Sequence, residues 1–301
     1  MCHTLQRMPT VRYDPAAVRP RRSVLFMPGS NARALEKARA LPADALVLDL
    51  EDAVAPEMKL EARARVAAAI EAGGYGHREI VVRVNALGSP WGRDDLAVAA
   101  AAGADAVLLP KVESAETVNA SIAALGGARP AVWCMLETPR GILSAPSIAA
   151  ASPRVTALVM GTSDLTKDLH ARATRERLPL LTSLQLCVLA ARSAGITALD
   201  GVHLDLEDDA GFAEACRQAA DFGFDGKTLI HPRQVALANE VFAPAAAEVE
   251  WARRVIAGHA DALARGEGVA VLDGRLIENL HVDDARRVLA LADAIAERAT
   301  C

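Results

Sequence analysis

Aromatic side chains make up only 3% of the 301 residues, with 3 Trp, 2 Tyr and 5 Phe. Any core must therefore be drawn from the rest of the 52% apolar fraction, chiefly Ala, Val and Leu. No apolar run approaches the ~18 residues of a membrane-spanning helix, which argues against a membrane partner. The net charge is a mild −5 and no basic stripe is interleaved with aromatics, so nucleic acid is not expected as a ligand. Cys2, Cys134, Cys187, Cys216 and Cys301 form no close pair with metal-ligand or redox spacing. Cys134, Cys187 and Cys216 lie in apolar patterns, where a thiol acts as a small buried hydrophobe, and a reducing, cytoplasmic setting is expected. The seven histidines are scattered, which argues against zinc. An apolar leader is missing too: residues 1–20 are broken by prolines and read as a loose arm rather than a secretory signal.

What the chain does have is a repeat of short, continuous apolar runs, most followed by an Ala-rich helical pattern. They fall at 23–27, 45–50, 80–84, 106–110, 131–136, 156–161, 196–201 and 224–230. Continuous rather than alternating hydrophobicity marks strands buried on both faces. Eight such units over residues 21–243 fit a closed (βα)8 barrel, although an open doubly wound sheet would carry similar runs if one or two were not strands. Residues 244–301 change to helices around a turn at Asp273-Gly274, with the last helix expected to start near Asp283 and Asp284. This C-terminal extension can pack on its own barrel, act as a lid, or join a neighbouring subunit.

A barrel places the residues after each strand on one rim. There the sequence offers Pro28 and Gly29, Glu51 and Asp52, Arg83 and Asn85, Lys111 and Glu113, Glu137, Asp164, His203 and His231. Glu137 and Asp164 are 27 residues apart, about one strand-plus-helix period, so they belong at the same end of neighbouring strands roughly 4.8 Å apart. Carboxylates that close need a cation or a shared proton between them, unless each merely caps the helix that follows. With Glu51 and Asp52 nearby and no histidine cluster, the oxygen-rich set suits Mg²⁺, with Mn²⁺ as a substitute, completed by a chelating oxo or hydroxy acid. Arg83 can pair with a substrate carboxylate or a developing oxyanion, or form a structural ion pair with Glu51 or Asp52. The Pro28-Gly29-Ser30-Asn31 turn can offer amides to an anion. Lys227 and His231 remain unassigned.

RRSVLFMPG, LVLDLEDAVAPEMKLEAR, VVRVN, VLLPKVES, MLETPRG, MGTSDLTKDL, DGVHLDLEDDAGF and FGFDGKTLIHPRQV follow one another in the order seen in the citrate lyase β-subunit-like family of CoA-ester lyases, which includes malyl-CoA lyases. The resemblance covers roughly residues 20 to 295. It implies a TIM barrel of the phosphoenolpyruvate/pyruvate type, a homo-oligomer such as a trimer or hexamer, and Mg²⁺-dependent cleavage or formation of a C–C bond beside a coenzyme A thioester. By the same resemblance Glu137 and Asp164 are the metal ligands, and Arg83 contacts the substrate's carboxyl or carbonyl oxygen. Glu51 and Asp52 hold metal-bound water and Arg83, while Arg22 and Lys59 are weaker matches to the coenzyme A side. The family's C-terminal acid/base Asp corresponds to Glu278 in DGRLIENLH. That Glu resembles the family's malyl-CoA thioesterase branch. Three readings follow: a malyl-CoA-like lyase, placed first; a thioesterase on the same site; and a citrate lyase β-like subunit that needs an acyl-carrier partner.

Overall fold

The computed structural model describes residues 18–128 and 130–299, so most of the N-terminal arm, Cys2 and Cys301 lie outside the described residues. Eight parallel strands close into a barrel in chain order. They are β1 Ser23–Pro28, β2 Ala45–Asp49, β3 Glu79–Arg83, β4 Ala106–Leu109, β5 Ala131–Leu136, β6 Val155–Met160, β7 Thr197–Asp200 and β8 Gly226–Leu229. β8 pairs with β1, setting Lys227 opposite Ser23 and Leu229 opposite Leu25. That closure separates the barrel from the doubly wound alternative. Every apolar run became a strand, with ends shifted by at most two residues.

Because side chains alternate along a strand, each run feeds two cores. One residue set, including Val24, Val47, Val81, Leu108, Trp133, Met135, Val159 and Leu199, fills the barrel interior. Its neighbours, such as Leu25, Leu48, Val82, Val107 and Leu158, face the helices. These helices are α1 Ala32–Ala38, α2 Lys59–Ala72, α3 Gly92–Ala102, α4 Ala115–Ala124, α5 Pro139–Leu143, α6 Ala145–Ala149, α7 Thr162–Asp168, α8 Leu181–Ala194, α9 Asp209–Phe222 and α10 Val235–Val241. Side chains cap several of them: Asn31 accepts from the Ala34 amide, Ser114 from Thr117 and Asp208 from Gly211.

The floor of the barrel is sealed. Trp133 is fully buried at its centre, and the Arg21 guanidinium lies 5.0 Å from the indole ring. Arg21 Nε donates to Glu79 at 2.7 Å and Nη1 to Thr197 at 2.7 Å, which ties three strands' N-terminal ends together. Outside the sheet, Lys227 Nζ donates to Asp200 Oδ2 at 2.6 Å, and Arg177 Nη1 reaches both oxygens of the same carboxylate at 2.9 and 2.7 Å. Asp200 is fully buried and Lys227 nearly so. Lys227 is thus an ion-pair residue facing the helix layer. Cys134, Cys187 and Cys216 are buried, as expected of small hydrophobes; burial pushes the Cys134 thiol up to about 12 and that of Cys216 to about 11.

Pro20–Ala243 forms one compact unit, and the chain from Pro244 belongs to another. The latter holds α11 Ala246–Ala264, β9 Ala270–Leu272, β10 Arg275–Ile277 and α12 Asn279–Ala299. Ala252, Val255, Ala262, Ala270, Ile277, Val282 and Ala285 form its core. Asp273 and Gly274 both have positive φ, 49° and 75°, the geometry of a tight two-residue hairpin turn. The last helix starts earlier than the acidic pair suggested. His281 Nδ1 accepts from the Glu278 amide at 3.0 Å, whereas Asp283 and Asp284 sit inside the helix and pair with Arg286 and Arg287. Among the described residues, no helix is long and apolar enough to cross a membrane.

Candidate active site

Extending the inward-facing rows one step beyond the apolar interior brings Asp49, Arg83, Glu137 and Gly161 to the C-terminal mouth of the barrel. Arg83 is the organising cation. Its Nε and Nη2 donate to Asp49 Oδ1 and Oδ2 at 2.7 and 2.6 Å, and its guanidinium lies 4.9 Å from the Phe26 ring. Nη1 stands 2.9 Å from Glu51 Oε2 and 3.5 Å from Asp52 Oδ2. The Glu51 oxygen nevertheless has no hydrogen bond and is buried, so the Nη1 hydrogens point elsewhere. Burial alone would weaken the charged guanidinium, but Asp49 and then Glu51 outweigh it and hold Arg83 above its usual range.

Glu137 is only 3% exposed. Its Oε1 accepts the Lys111 amide at 2.6 Å. Burial, reinforced by the Glu51 charge, pushes its carboxyl up to about 7 against the pull of Lys111. Asp164 lies in the first turn of α7, half-buried, and neither acid is the cap of the helix that follows it. The capping role at α5 belongs to Thr138, which accepts from the Gly141 amide. Lys111 Nζ sits 2.6 Å from Glu51 Oε1, 3.8 Å from Asp164 Oδ2 and 3.9 Å from Asp52 Oδ1. Although partial burial opposes its charge, Glu51 holds Lys111 above its usual range. Lys167 approaches Asp164 from the surface at 3.9 Å.

Asp49, Glu51, Asp52, Glu137 and Asp164 thus share chiefly Arg83 and Lys111, and the cluster is short of positive charge. The bare Glu51 oxygen and the near-neutral setting of Glu137 show where that shortage is felt. A hard divalent cation fits the donors. Among the described residues no three His, Cys, Asp or Glu side chains converge as a complete metal cage, so water and substrate would supply the rest of the shell.

The structure brings Arg83, Glu51, Asp52, Glu137 and Asp164 together, and corrects the placing of others. Arg22 precedes β1, at the floor end, where Asp44 takes its Nε at 2.8 Å and Nη2 at 3.0 Å; it does not reach the rim. Lys59 is at the rim but buried, and its Nζ donates to Leu50 O, Glu51 O and Asn85 Oδ1 at 2.8, 2.7 and 2.8 Å. With all three ammonium protons used, it braces the 50–51 backbone. Pro28 and Gly29 end β1 at the rim, yet the Gly29 amide is already given to Asp49 O at 2.9 Å. His231 caps a 3-10 turn at 232–234, its Nδ1 accepting from the Arg233 amide. Glu278 is exposed in the C-terminal unit. Asp49 was missed from sequence, as was the double role of Lys111.

Gly161 presses on Glu137: a Cβ there would lie 2.3 Å from Glu137 Cβ and 2.8 Å from its Oε2. Gly161→Ala is therefore expected to push this carboxylate aside and lower turnover by about 10²-fold. Steady-state kinetics beside a thermal melt checks this, since an overpacking cost of only about 1–3 kcal/mol leaves the fold in place.

A closed parallel barrel that gathers five carboxylates and one clamped arginine at its C-terminal rim puts the candidate site where barrel enzymes carry theirs. The chain belongs to the HpcH/HpaI aldolase/citrate lyase family, whose profile matches residues 22–232. It is 51% identical over 277 residues to a (3S)-malyl-CoA thioesterase of Cereibacter sphaeroides, covering 92% of this chain and 96% of that one. It is 39% identical to the citrate lyase subunit beta of Escherichia coli, covering 91% and 94%. Among solved structures, the CitE protein of Mycobacterium tuberculosis in complex with magnesium, acetoacetate and coenzyme A matches with a TM-score of 0.73 at 32% identity, covering 92% of this chain and 99% of that one.

Proposed function

We propose that this protein is a Mg²⁺-dependent hydrolase of a malyl-CoA-like 3-hydroxyacyl thioester. The observation that carries this is the cation-poor rim in which buried Glu137 and Arg83 meet half-buried Asp164, in a chain similar over nearly its whole length to a malyl-CoA thioesterase. Glu137 and Asp164 would hold the ion. When bound, Mg²⁺ supplies Lewis acidity to the oxygens of the hydroxy acid. Asp49 fixes the plane of the Arg83 guanidinium, and its Nη1 hydrogens face the thioester oxygen as negative charge grows there. Glu51 and Asp52 hold Arg83 and ordered water, while Lys59 pins the backbone that carries Glu51. Glu278 of a neighbouring chain in a homo-oligomer takes a proton from the attacking water. Water oxygen bonds to the thioester carbon, the C–S bond breaks, and the proton passes to the leaving coenzyme A thiolate.

The sequence placed carbon–carbon cleavage first, and it stands as the second reading because citrate lyase β subunits share most of this chain's length. In that reaction the same Arg83 assists at the carbonyl oxygen of the departing oxo acid, and Glu278 protonates the thioester enolate. Incubating the purified protein with Mg²⁺ and malyl-CoA separates the two. Hydrolysis gives free thiol and malate with no glyoxylate. Cleavage gives glyoxylate and acetyl-CoA without thiol. Turnover only on addition of an acyl-carrier protein would overturn both and favour the subunit reading.

A further inference from the structure

We propose that Lys111 is a tethered counter-cation that sets the metal affinity of this site, because its ammonium must withdraw before a divalent ion is fully bound. The inference rests on the reading of Glu137 and Asp164 as metal ligands. Three cations brace these acids, and their packing differs. Arg83 is 9% exposed and is clamped by two hydrogen bonds to Asp49. Lys59 is 6% exposed and gives all three protons to fixed acceptors. The Lys111 side chain is 43% exposed, and its one hydrogen bond goes to Glu51 Oε1. Of these three, Lys111 alone combines a free path to solvent with a flexible four-carbon stem; Lys167 is exposed too, but it leans to Asp168 at 3.3 Å and meets the cluster at Asp164, 3.9 Å away.

Its backbone explains why it stays close. Lys111 has φ 50°, in the left-handed region, and its amide is held by Glu137 Oε1 at 2.6 Å. One residue therefore orients a carboxylate through its main chain and neutralises three others through its side chain, with Nζ within 3.9 Å of Glu51, Asp52 and Asp164. An ammonium and a divalent ion among the same carboxylates repel at close range in a partly dry pocket. Withdrawal of Nζ leaves the main-chain bond to Glu137 intact, so the ligand stays oriented while the charge moves.

The test is calorimetric titration of Mg²⁺ into four purified proteins at pH 8: wild type, Lys111→Met, Lys111→Arg and Arg140→Met. Lys111→Met is expected to bind Mg²⁺ about tenfold more tightly than wild type, as the repelling charge is gone. Lys111→Arg keeps the charge and should not gain affinity. Arg140 is a 77% exposed cation with its nearest acid, Glu113, at 3.9 Å, and its replacement should leave affinity unchanged. Equal or weaker binding by Lys111→Met overturns the proposal, as does an equal gain from Arg140→Met, which would make the effect one of net charge. Absence of binding to both wild type and Lys111→Met would overturn the metal reading and this proposal with it.

Discussion

Glu137→Gln is expected to abolish Mg²⁺ binding and all turnover, whichever reaction the enzyme performs. The amide is nearly isosteric with the carboxylate and can still accept the Lys111 N–H that now binds Oε1 at 2.6 Å, so the fold should persist. What is lost, on the proposed metal assignment, is a charged oxygen ligand at a position only 3% exposed, which water cannot replace. Outer-layer partners of metal ligands cost about 10–100-fold in affinity when removed, and a ligand itself should cost more. Calorimetry and a thiol-release assay on the same preparation check both expectations. Retained Mg²⁺ affinity in this variant would remove Glu137 from the metal site.

The second large effect concerns stability and lies away from the chemistry. Asp200→Ala should destabilise the barrel by about 3–5 kcal/mol, because it leaves Lys227 buried without its counter-ion. Burial opposes the charge of Asp200, but Lys227 and Arg177 outweigh it and hold the carboxyl below its ordinary range. A depressed acid contributes stability that is complete above its unfolded pKa, about 3.9, and is lost as pH falls through the lower folded value. The gap between wild type and Asp200→Ala in urea unfolding should therefore be full at neutral pH and shrink in acid. Replacing the acid and both of its cations, as Asp200→Leu with Lys227→Met and Arg177→Met, should recover much of the loss, since a well-packed apolar cluster can match a buried ion-pair network.

The strands were legible in the sequence because a parallel barrel buries both faces of each, and Ala, Val and Leu in unbroken runs are the direct result. Glu137, Asp164 and Arg83 were legible because they follow such runs. Asp49 was not. It sits inside LVLDLED, two residues before the more conspicuous Glu51-Asp52 pair, and only the inward row through Ala45 and Val47 marks it as pointing to the mouth. Lys111 looked like one more rim charge, since nothing in VLLPKVES announces a left-handed residue whose amide turns towards Glu137. Arg22 rested only on the family resemblance, as a weaker match; it precedes β1, the full length of that strand away from Pro28 and Gly29, and pairs there with Asp44. The acidic pair at 283–284 resembled a helix start, but their charges are matched by arginines three residues on within the same helix.

The plug of Arg21, Glu79 and Thr197 beneath Trp133 makes the barrel a blind well. Whatever reaches Arg83 and Glu137 has passed the rim, and there is no exit below. On the proposed function this would set the order of traffic for a long thioester: the small acyl head would travel in first and, after the bond breaks, lie beneath the coenzyme that followed it. The bulky fragment would then have to clear the mouth before the small one could leave, so on that function the sealed floor, far from any reacting atom, would govern the sequence in which products depart.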